Sequence, residues 1–180
     1  MRIVSGIYKG RIFTPPKKKF SARPTTDIAK EGLFNIINNY FNFEDISVLD
    51  LFSGTGSISF EFASRGCTNI QLVENNPQHL FFIRKVISEL NLKNIISIRQ
   101  NAFAFLERCK NSYDIIFADP PYDIEGIEQI PELVFTNSLL NQGGWLILEH
   151  SRNKNLSKYP YFESVRNYGN VHFSFFVHKK

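Results

Sequence analysis

The tetrapeptide Asp-Pro-Pro-Tyr at residues 119–122 has the groups needed to activate an amino group on a nucleobase. Such an amine is a poor nucleophile, because its lone pair is delocalised into the ring and its two N–H groups need acceptors before the nitrogen can attack. The Asp119 carboxylate and the Pro120 carbonyl are two acceptors, and neither Pro120 nor Pro121 has an N–H to compete. Tyr122 offers a face for stacking an extruded base. These four residues are the predicted catalytic set; the structural alternative is a rigid turn.

A glycine-containing turn follows the apolar run that includes Asp50. Gly54 and Gly56 allow the backbone to approach a ligand that a Cβ would block. The dinucleotide pattern GxGxxG fails, because Ser59 stands where its third glycine belongs, and no GxxxxGK phosphate loop is present. A carboxylate at Asp50 would repel a pyrophosphate and suits a cationic ligand, such as an ammonium or a sulfonium. We therefore expect Asp50, Phe52, Gly54 and Gly56 to bind a cationic cofactor.

Two further strand ends carry candidate cofactor ligands. Glu74 lies 18 positions after Gly56, at the end of the second predicted strand, where an acidic residue can accept hydrogen bonds from ribose hydroxyls. Asn75 follows it. Asn101 and Ala102 come directly after the third predicted strand, where a side-chain amide can reach an adenine edge. Taken alone, a strand-end glutamate is a surface charge and an asparagine is a common loop residue, so the prediction depends on their spacing from the glycine turn.

The elements that must position these residues alternate along the chain. Apolar runs predict strands at 48–52, 69–74, 95–100, 113–118 and 145–149, and helical spacing predicts helices from 27, at 57–65, 77–90 and 103–109, and near 127–140. Two last strands, 161–168 and 171–178, meet at a Gly-Asn turn. This alternation indicates an α/β fold with a mostly parallel sheet covered on both faces and an antiparallel C-terminal strand. Residues 2–13 predict a small N-terminal β-hairpin.

The positive charge is concentrated at the start of the chain. Residues 1–30 contain eight basic residues and one acidic residue, whereas the remaining 150 carry 13 basic and 16 acidic residues. This asymmetry indicates either a basic arm that binds a polyanion or a lysine-rich solvated surface. We divide the chain into a basic arm at 1–24 and a catalytic domain at 25–180, together one compact unit.

The remaining features exclude several classes of protein. No apolar run approaches the roughly 18 residues of a membrane span, and the N-terminus has no signal-peptide pattern. Cys67 and Cys109 lack CxxC spacing and are expected to be reduced thiols in a cytoplasmic protein. The four histidines have no partner at ligand spacing, so no metal site is expected. Without an additional apolar segment, we expect a monomer.

At this point the chain resembles a known family, the RsmD-type 16S ribosomal RNA (guanine-N2)-methyltransferases, essentially from end to end. The opening MRIVSGIYKGR with RPTTDIAKEGLFNII is similar to the N-terminal signature of that family, LDLFSGTGSISFEFASRG to its cofactor loop, and DPPY to its catalytic motif. DPPY also occurs in adenine-N6 DNA methyltransferases, so the specific part is RPTTD with the opening segment.

The resemblance implies a seven-stranded Rossmann-like methyltransferase fold, S-adenosyl-L-methionine as the methyl donor and one guanine of the small ribosomal subunit as the target. It implies that the glycine turn holds the methionine end, Glu74 the ribose, Asn101 and Ala102 the adenine, and residues 119–122 the target base. RNA contacts are implied for the N-terminal residues Arg2, Lys9, Arg11, Arg23, Thr25 and Thr26.

Three alternatives remain open at this stage. A DNA adenine-N6 methyltransferase normally needs an additional target-recognition region, for which 180 residues leave little room. A protein glutamine methyltransferase usually has NPPY, so Asp119 and the basic arm count against it. A non-catalytic RNA-binding assembly factor on the same fold is disfavoured by the intact motif set, and cofactor binding without turnover would revive it.

Overall fold

The structure, a computed structural model, describes residues 1–16 and 26–178. Five α-helices and seven strands alternate along most of this part of the chain, and one short 3-10 helix (Phe43–Asp45) precedes the first strand. The helices are α1 (Asp27–Asn38), α2 (Ser57–Ser64), α3 (Pro77–Glu89), α4 (Ala102–Arg108) and α5 (Gln129–Thr136). The strands are β1 (Ser47–Leu51), β2 (Asn69–Glu74), β3 (Ile95–Arg99), β4 (Tyr113–Ala118), β5 (Leu140–His150), β6 (Phe162–Tyr168) and β7 (Val171–Val177).

All seven strands form one sheet in the order β3-β2-β1-β4-β5-β7-β6. The pairs β1–β2, β2–β3, β1–β4 and β4–β5 are parallel, whereas β7 runs antiparallel to both β5 and β6. The expected mixed sheet with an antiparallel C-terminal strand is confirmed. The chain leaves β1 toward β2 and β3 and returns on the other side as β4, so the order reverses at β1. A crevice forms beyond the carboxyl ends of the strands at such a reversal.

Both faces of the sheet are covered, and each face has its own apolar layer. The buried side chains of α1, α2 and α3 pack on one face, where Phe34 and Phe62 meet edge to face with centroids 4.6 Å apart. Helices α4 and α5 cover the other face through residues such as Leu106 and Val134. This double cover explains why the central strands have near-continuous apolar sequences.

The end of α5 and the start of β5 differ from the boundaries predicted from the sequence. The helix expected near 127–140 ends at Thr136, because Ser138 adopts a left-handed φ of 53° that a helix cannot continue through. The following strand begins at Leu140 rather than at Trp145. Its first half is irregular: the register with β4 shifts between Tyr113 and Ile115, and Gly143 has a φ of 77°. The irregularity interrupts the apolar pattern, which hid the first five residues of the strand.

The N-terminal segment forms a short hairpin, as predicted. An antiparallel bridge joins Arg2 and Ile12, and backbone hydrogen bonds join Met1 with Phe13 (2.8 and 3.0 Å) and the Ile3 N–H with the Arg11 carbonyl oxygen (3.0 Å). The turn between the two arms packs against α2. Ile7 donates its backbone N–H to the carbonyl oxygen of Ser64 (2.8 Å), and the Tyr8 N–H donates to the Ser64 hydroxyl (2.9 Å). The backbone groups that a longer hairpin would pair are satisfied by the end of a helix.

A buried carboxylate fixes this segment in place. Glu61, on α2, is fully buried and accepts hydrogen bonds from the backbone N–H groups of Val4 (2.8 Å) and Ser5 (2.9 Å). Its side chain also pairs with Arg65 (3.0 Å) and with the buried Lys30 of α1 (3.6 Å). Burial lowers the pKa of the Lys30 ammonium, and Glu61 opposes that shift. One carboxylate therefore joins the N-terminal segment, α1 and α2.

Among the described residues, no helix has the length and apolar composition needed to cross a membrane.

We expect Glu61→Ala to lower the free energy of unfolding by about 3–5 kcal/mol, because it leaves a buried ammonium and two backbone N–H groups without their acceptor. Glu89→Ala is the matched control, since Glu89 forms an ion pair with Arg11 (3.7 Å) while its side chain is 49% exposed. An exposed pair of this kind contributes about 0–1 kcal/mol. Urea unfolding followed by circular dichroism measures both variants, and equal losses would contradict the anchoring role of Glu61.

Candidate active site

The residues selected from the sequence converge at the carboxyl edge of the sheet. The turn that follows β1, the end of β2, the start of α4 and the tetrapeptide after β4 all lie at this edge, because the four strands that precede them are parallel. The crevice between them lies where the strand order reverses. The structure therefore brings together the predicted cofactor set and the predicted catalytic set.

Backbone geometry explains both glycines in the turn after β1. Gly54 and Gly56 have φ angles of 55° and 74°, in the left-handed region that other residues rarely adopt. At Gly56 an added Cβ would also lie 2.7 Å from the Phe60 ring, so glycine is required for α2 to begin there. At Gly54 the space is open, with the nearest atom 3.8 Å from such a Cβ. The backbone of Gly54 can therefore approach a ligand closely.

Asp50 lies beneath this turn with its carboxylate buried. The Ser59 hydroxyl and N–H donate to the same Asp50 oxygen, at 2.6 and 3.2 Å. Burial raises the pKa of Asp50 to about 7, although the Ser59 hydrogen bonds oppose the shift. A cation placed above the turn would favour the ionised form, so the carboxylate suits the ligand that the sequence predicted.

Glu74 is held rigidly at the end of β2. One oxygen of its buried carboxylate accepts the Gly54 N–H (2.8 Å), and the other accepts the Asn76 N–H (2.7 Å). His79, which the sequence pattern did not single out, lies with Nδ1 3.6 Å from the same carboxylate. Asn75 is exposed at the rim beside it. The two backbone donors fix the orientation of a group whose remaining lone pairs can accept ribose hydroxyls.

Asn101 contributes first to its own helix. Its side-chain oxygen accepts the N–H groups of Phe103 (3.0 Å) and Ala104 (3.2 Å), which makes it the N-cap of α4. Ala102, buried, begins the helix. Phe103 packs edge to face against Phe52, with ring centroids 5.9 Å apart. Phe103 was missed in the sequence because it is one of 18 phenylalanines and follows no motif.

Phe52 completes an apolar wall at this edge. It has a φ of 57°, which is unusual for a side chain of this size and marks a backbone held by its surroundings. With Phe103 it gives the crevice an aromatic side next to the polar side formed by Glu74. An adenine ring needs this combination of an apolar surface and neighbouring polar groups, so the described residues fit a bound adenosyl group.

The tetrapeptide after β4 presents a half-buried acid and an exposed ring. The Asp119 N–H lies 3.4 Å from the Leu51 carbonyl oxygen, which continues the strand pairing past Ala118. Asp119 is half-buried and Pro120 is buried, whereas Pro121 is exposed and Tyr122 is 49% exposed. The half-exposed ring of Tyr122 can therefore receive a base from solvent.

Glu149 is a further acidic residue at this edge that sequence reasoning missed. It follows Leu148 on β5, and Leu148 pairs with Ala118, so Asp119 and Glu149 are neighbours on adjacent strands. Glu149 is 4% exposed, and the Tyr122 hydroxyl lies 3.3 Å from its Oε1. Burial raises the pKa of Asp119 well above its usual value, and the charges of Glu149 and Asp50 add to the shift. The sequence contained one signal for Glu149, which is an acidic residue at the end of an apolar strand (Leu-Ile-Leu-Glu).

The backbones of Arg2 and Arg11 lie next to each other, because Arg2 bridges to Ile12 and the Ile3 N–H donates to the Arg11 carbonyl oxygen (3.0 Å). Their side chains pair with different helices. Arg2 forms an ion pair with Asp27 at the start of α1 (2.8 Å), where Thr26 caps the helix by accepting the Ala29 N–H, and Arg11 forms one with Glu89 at the end of α3 (3.7 Å). Lys9 is exposed in the same turn of the segment as Arg11.

The other predicted contacts, Arg23 and Thr25, lie outside the described residues, as does the lysine run at 17–19. RNA contacts at the described positions stay a prediction.

The family comparison covers nearly the whole chain. The family described as Conserved hypothetical protein 95 matches residues 1–177. Ribosomal RNA small subunit methyltransferase D of Buchnera aphidicola is 32% identical over 155 residues, which cover 86% of this chain and 78% of that protein.

Solved structures of methyltransferases share the fold of this chain. A putative methyltransferase from Escherichia coli superposes with a TM-score of 0.86 at 25% identity, covering 99% of this chain and 98% of that one. An RNA methyltransferase from Salinibacter ruber, in complex with S-adenosyl-L-homocysteine, has a TM-score of 0.69 at 13% identity over 88% and 95% of the two chains, which indicates a shared fold. The chain belongs to the Conserved hypothetical protein 95 family and is a methyltransferase of the RsmD type.

Proposed function

We propose that this methyltransferase modifies the exocyclic N2 amino group of one guanine in the 16S RNA of the small ribosomal subunit. The observation that carries the proposal is the half-buried Asp119 at the carboxyl edge of the sheet, three residues before the half-exposed ring of Tyr122 and at the end of the strand next to the glycine turn. The relative named ribosomal RNA small subunit methyltransferase D supports the RNA substrate. The assignment to guanine-N2 rests on the resemblance together with the acceptor geometry.

S-adenosyl-L-methionine is the methyl donor, and when bound it would supply an electrophilic methyl group, its C–S bond breaking as the new N–C bond forms. The open space at Gly54 would admit its methionine end, and the Asp50 carboxylate beneath the same turn would act as a counter-charge. Glu74 would accept the ribose hydroxyls. The wall formed by Phe52 and Phe103 would contact the adenine.

The target amine is activated by acceptors that belong to the chain. The Asp119 carboxylate and the Pro120 carbonyl accept the two N2–H groups, which directs the nitrogen lone pair toward the methyl group. As positive charge develops on nitrogen, Asp119 stabilises it and then takes the leaving proton. Pro121 fixes the backbone of the turn. Tyr122 stacks the extruded base, a contact that contributes roughly 1–3 kcal/mol per base.

The remaining parts of the proposal concern the substrate RNA. The net charge of +7 in residues 1–30 suits a polyanionic partner such as RNA. We assign residues 1–24 to an RNA-binding arm and residues 25–180 to the catalytic domain, acting as a cytoplasmic monomer. Arg2 of the arm and Thr26 of the catalytic domain both lie at the start of α1, where we propose that they contact RNA.

The direct test is transfer of labelled methyl from S-adenosyl-L-methionine to small ribosomal subunits prepared from cells without this enzyme. Duplex DNA and free 16S RNA are assayed in parallel. Label recovered as N2-methylguanosine from the subunits or the free RNA supports the proposal. Label in DNA adenine, or in none of the three substrates, overturns it.

Asp119→Asn should lower kcat by about 10³-fold, because the amide neither stabilises the developing charge nor accepts the proton. The affinity for S-adenosyl-L-methionine should stay near that of the unaltered protein. Asp123→Asn is the matched control, since Asp123 is an exposed carboxylate in the same loop. Single-turnover kinetics and calorimetry measure the two quantities, and full activity of Asp119→Asn would refute the assigned role.

Glu74→Gln should weaken S-adenosyl-L-methionine binding by roughly 10–100-fold, because charge-assisted hydrogen bonds to the ribose are lost. The new amide nitrogen also opposes one of the two N–H donors, of Gly54 or of Asn76, that the carboxylate accepts. Glu107→Gln, on the exposed side of α4, is the control. Calorimetry at constant pH measures both, and an unchanged affinity would exclude the ribose contact.

The raised pKa of Asp119 predicts that the titration of this carboxyl depends on the charge of Glu149. In the ligand-free protein, carboxyl carbon NMR should show Asp119 titrating well above the ordinary aspartate range, with burial as the main cause and Glu149 as the next. Glu149→Gln removes a negative charge, so the Asp119 pKa should fall. Asp119→Asn identifies the resonance. A midpoint that does not move in Glu149→Gln would mean that the two carboxylates do not interact.

A further inference from the structure

The N2 amine of guanine has a neighbour that distinguishes it from other amino bases. Beside N2, on the same edge, guanine carries the N1–H donor. Adenine instead has a bare N1 lone pair beside its N6 amine. 2-Aminopurine carries the same exocyclic amine as guanine, at the same ring carbon, but its N1 is also a lone pair. A site that methylates guanine N2 selectively therefore needs an acceptor next to the acceptors for the amine.

Glu149 lies where that second acceptor is required. The pairing of Ala118 with Leu148 places Asp119 and Glu149 side by side, one residue beyond the last pair. Neighbouring strands are about 4.8 Å apart, so the Asp119 and Glu149 side chains can both reach one base edge, on which the N1–H and N2–H donors are adjacent. Both residues extend from the same face of the sheet, since Phe117 and Ile147, two positions before them, belong to the same apolar layer.

The contact with Tyr122 ties Glu149 to the base platform. The Tyr122 hydroxyl lies 3.3 Å from Glu149 Oε1, so the carboxylate is next to the ring on which the base stacks. Glu149 is 4% exposed, and its carboxylate is therefore shielded from water. An acceptor in such an environment discriminates strongly, because leaving it opposite a lone pair costs far more than in water.

We propose that Glu149 is a specificity residue whose carboxylate accepts the N1–H of the target guanine while Asp119 and Pro120 accept the N2–H groups. This inference rests on the proposed guanine-N2 activity and deepens it, since it names the group that selects guanine. Adenine and 2-aminopurine would place a lone pair against the Glu149 carboxylate and are rejected by repulsion. The same contact keeps the guanine edge in register with Asp119.

The test compares two RNA substrates that differ only at the target position, one with guanine and one with 2-aminopurine. Both are built into small subunits by ligation, and methyl transfer to the 2-amino group is measured as kcat/KM. The unaltered enzyme should prefer guanine by roughly 10²-fold or more, because a site built around a hydrogen bond rejects an analogue that lacks the donor.

Glu149→Gln should reduce this preference at least about tenfold. The amide can donate to the N1 lone pair of 2-aminopurine, so its kcat/KM should rise while that for guanine falls. Glu149→Asp keeps a carboxylate and should keep the preference for guanine at a lower rate. Tyr122→Phe, which removes only the hydroxyl contact, should affect both substrates in the same proportion.

The outcomes separate this inference from the proposed function. If the unaltered enzyme methylates guanine N2 and 2-aminopurine equally well, Glu149 is not a specificity residue and the proposed activity stands. The same conclusion follows if Glu149→Gln lowers both rates in proportion, as a purely structural or Tyr122-positioning role would. If no guanine N2 is methylated at all, the proposed function is wrong and the inference fails with it.

Discussion

The site depends on one constraint, which is that parallel strands end at the same edge of their sheet. Reversal of the strand order at β1 opens a crevice at that edge, and every group assigned to chemistry lies at a strand end around it. Asp50, Glu74 and Glu149 are buried there, and Asp119 is half-buried. Their carboxylates would repel one another in an empty crevice. A cationic cofactor would balance this negative charge, and the N–H groups of an amine-bearing base would donate to the carboxylates.

The cost of burying these acids is offset by backbone donors that the fold itself supplies. Glu74 is held by the N–H groups of Gly54 and Asn76, and Asp50 by the first turn of α2. At Asp119, burial and the charges of the neighbouring acids both disfavour the ionised form and raise its pKa. A carboxylate that resists ionisation in the free protein is suited to take up a proton at the end of the reaction.

A further buried carboxylate, Glu61, connects α2 to the N-terminal segment and to α1. By joining Lys30, Arg65 and the backbone of the N-terminal segment, it holds the start of α1 next to the crevice. Lys30 also donates to the Ser57 hydroxyl (3.0 Å), in the first turn of α2 after the glycine loop. The positively charged N-terminal part of the chain is thus connected to α2, and so to the glycine turn, through the contacts of Lys30 with Glu61 and Ser57.

The sequence by itself determined the alternation of strands and helices and the positions of the chemical motifs. Apolar periodicity and glycine spacing are local properties, so Asp50, Gly54, Glu74 and residues 119–122 could be selected from them. Tertiary structure alone decided which strand ends are neighbours. Glu149 looks like an ordinary strand-end charge until β5 pairs with β4, because its burial and its proximity to Asp119 are set by residues about 30 positions away in the chain.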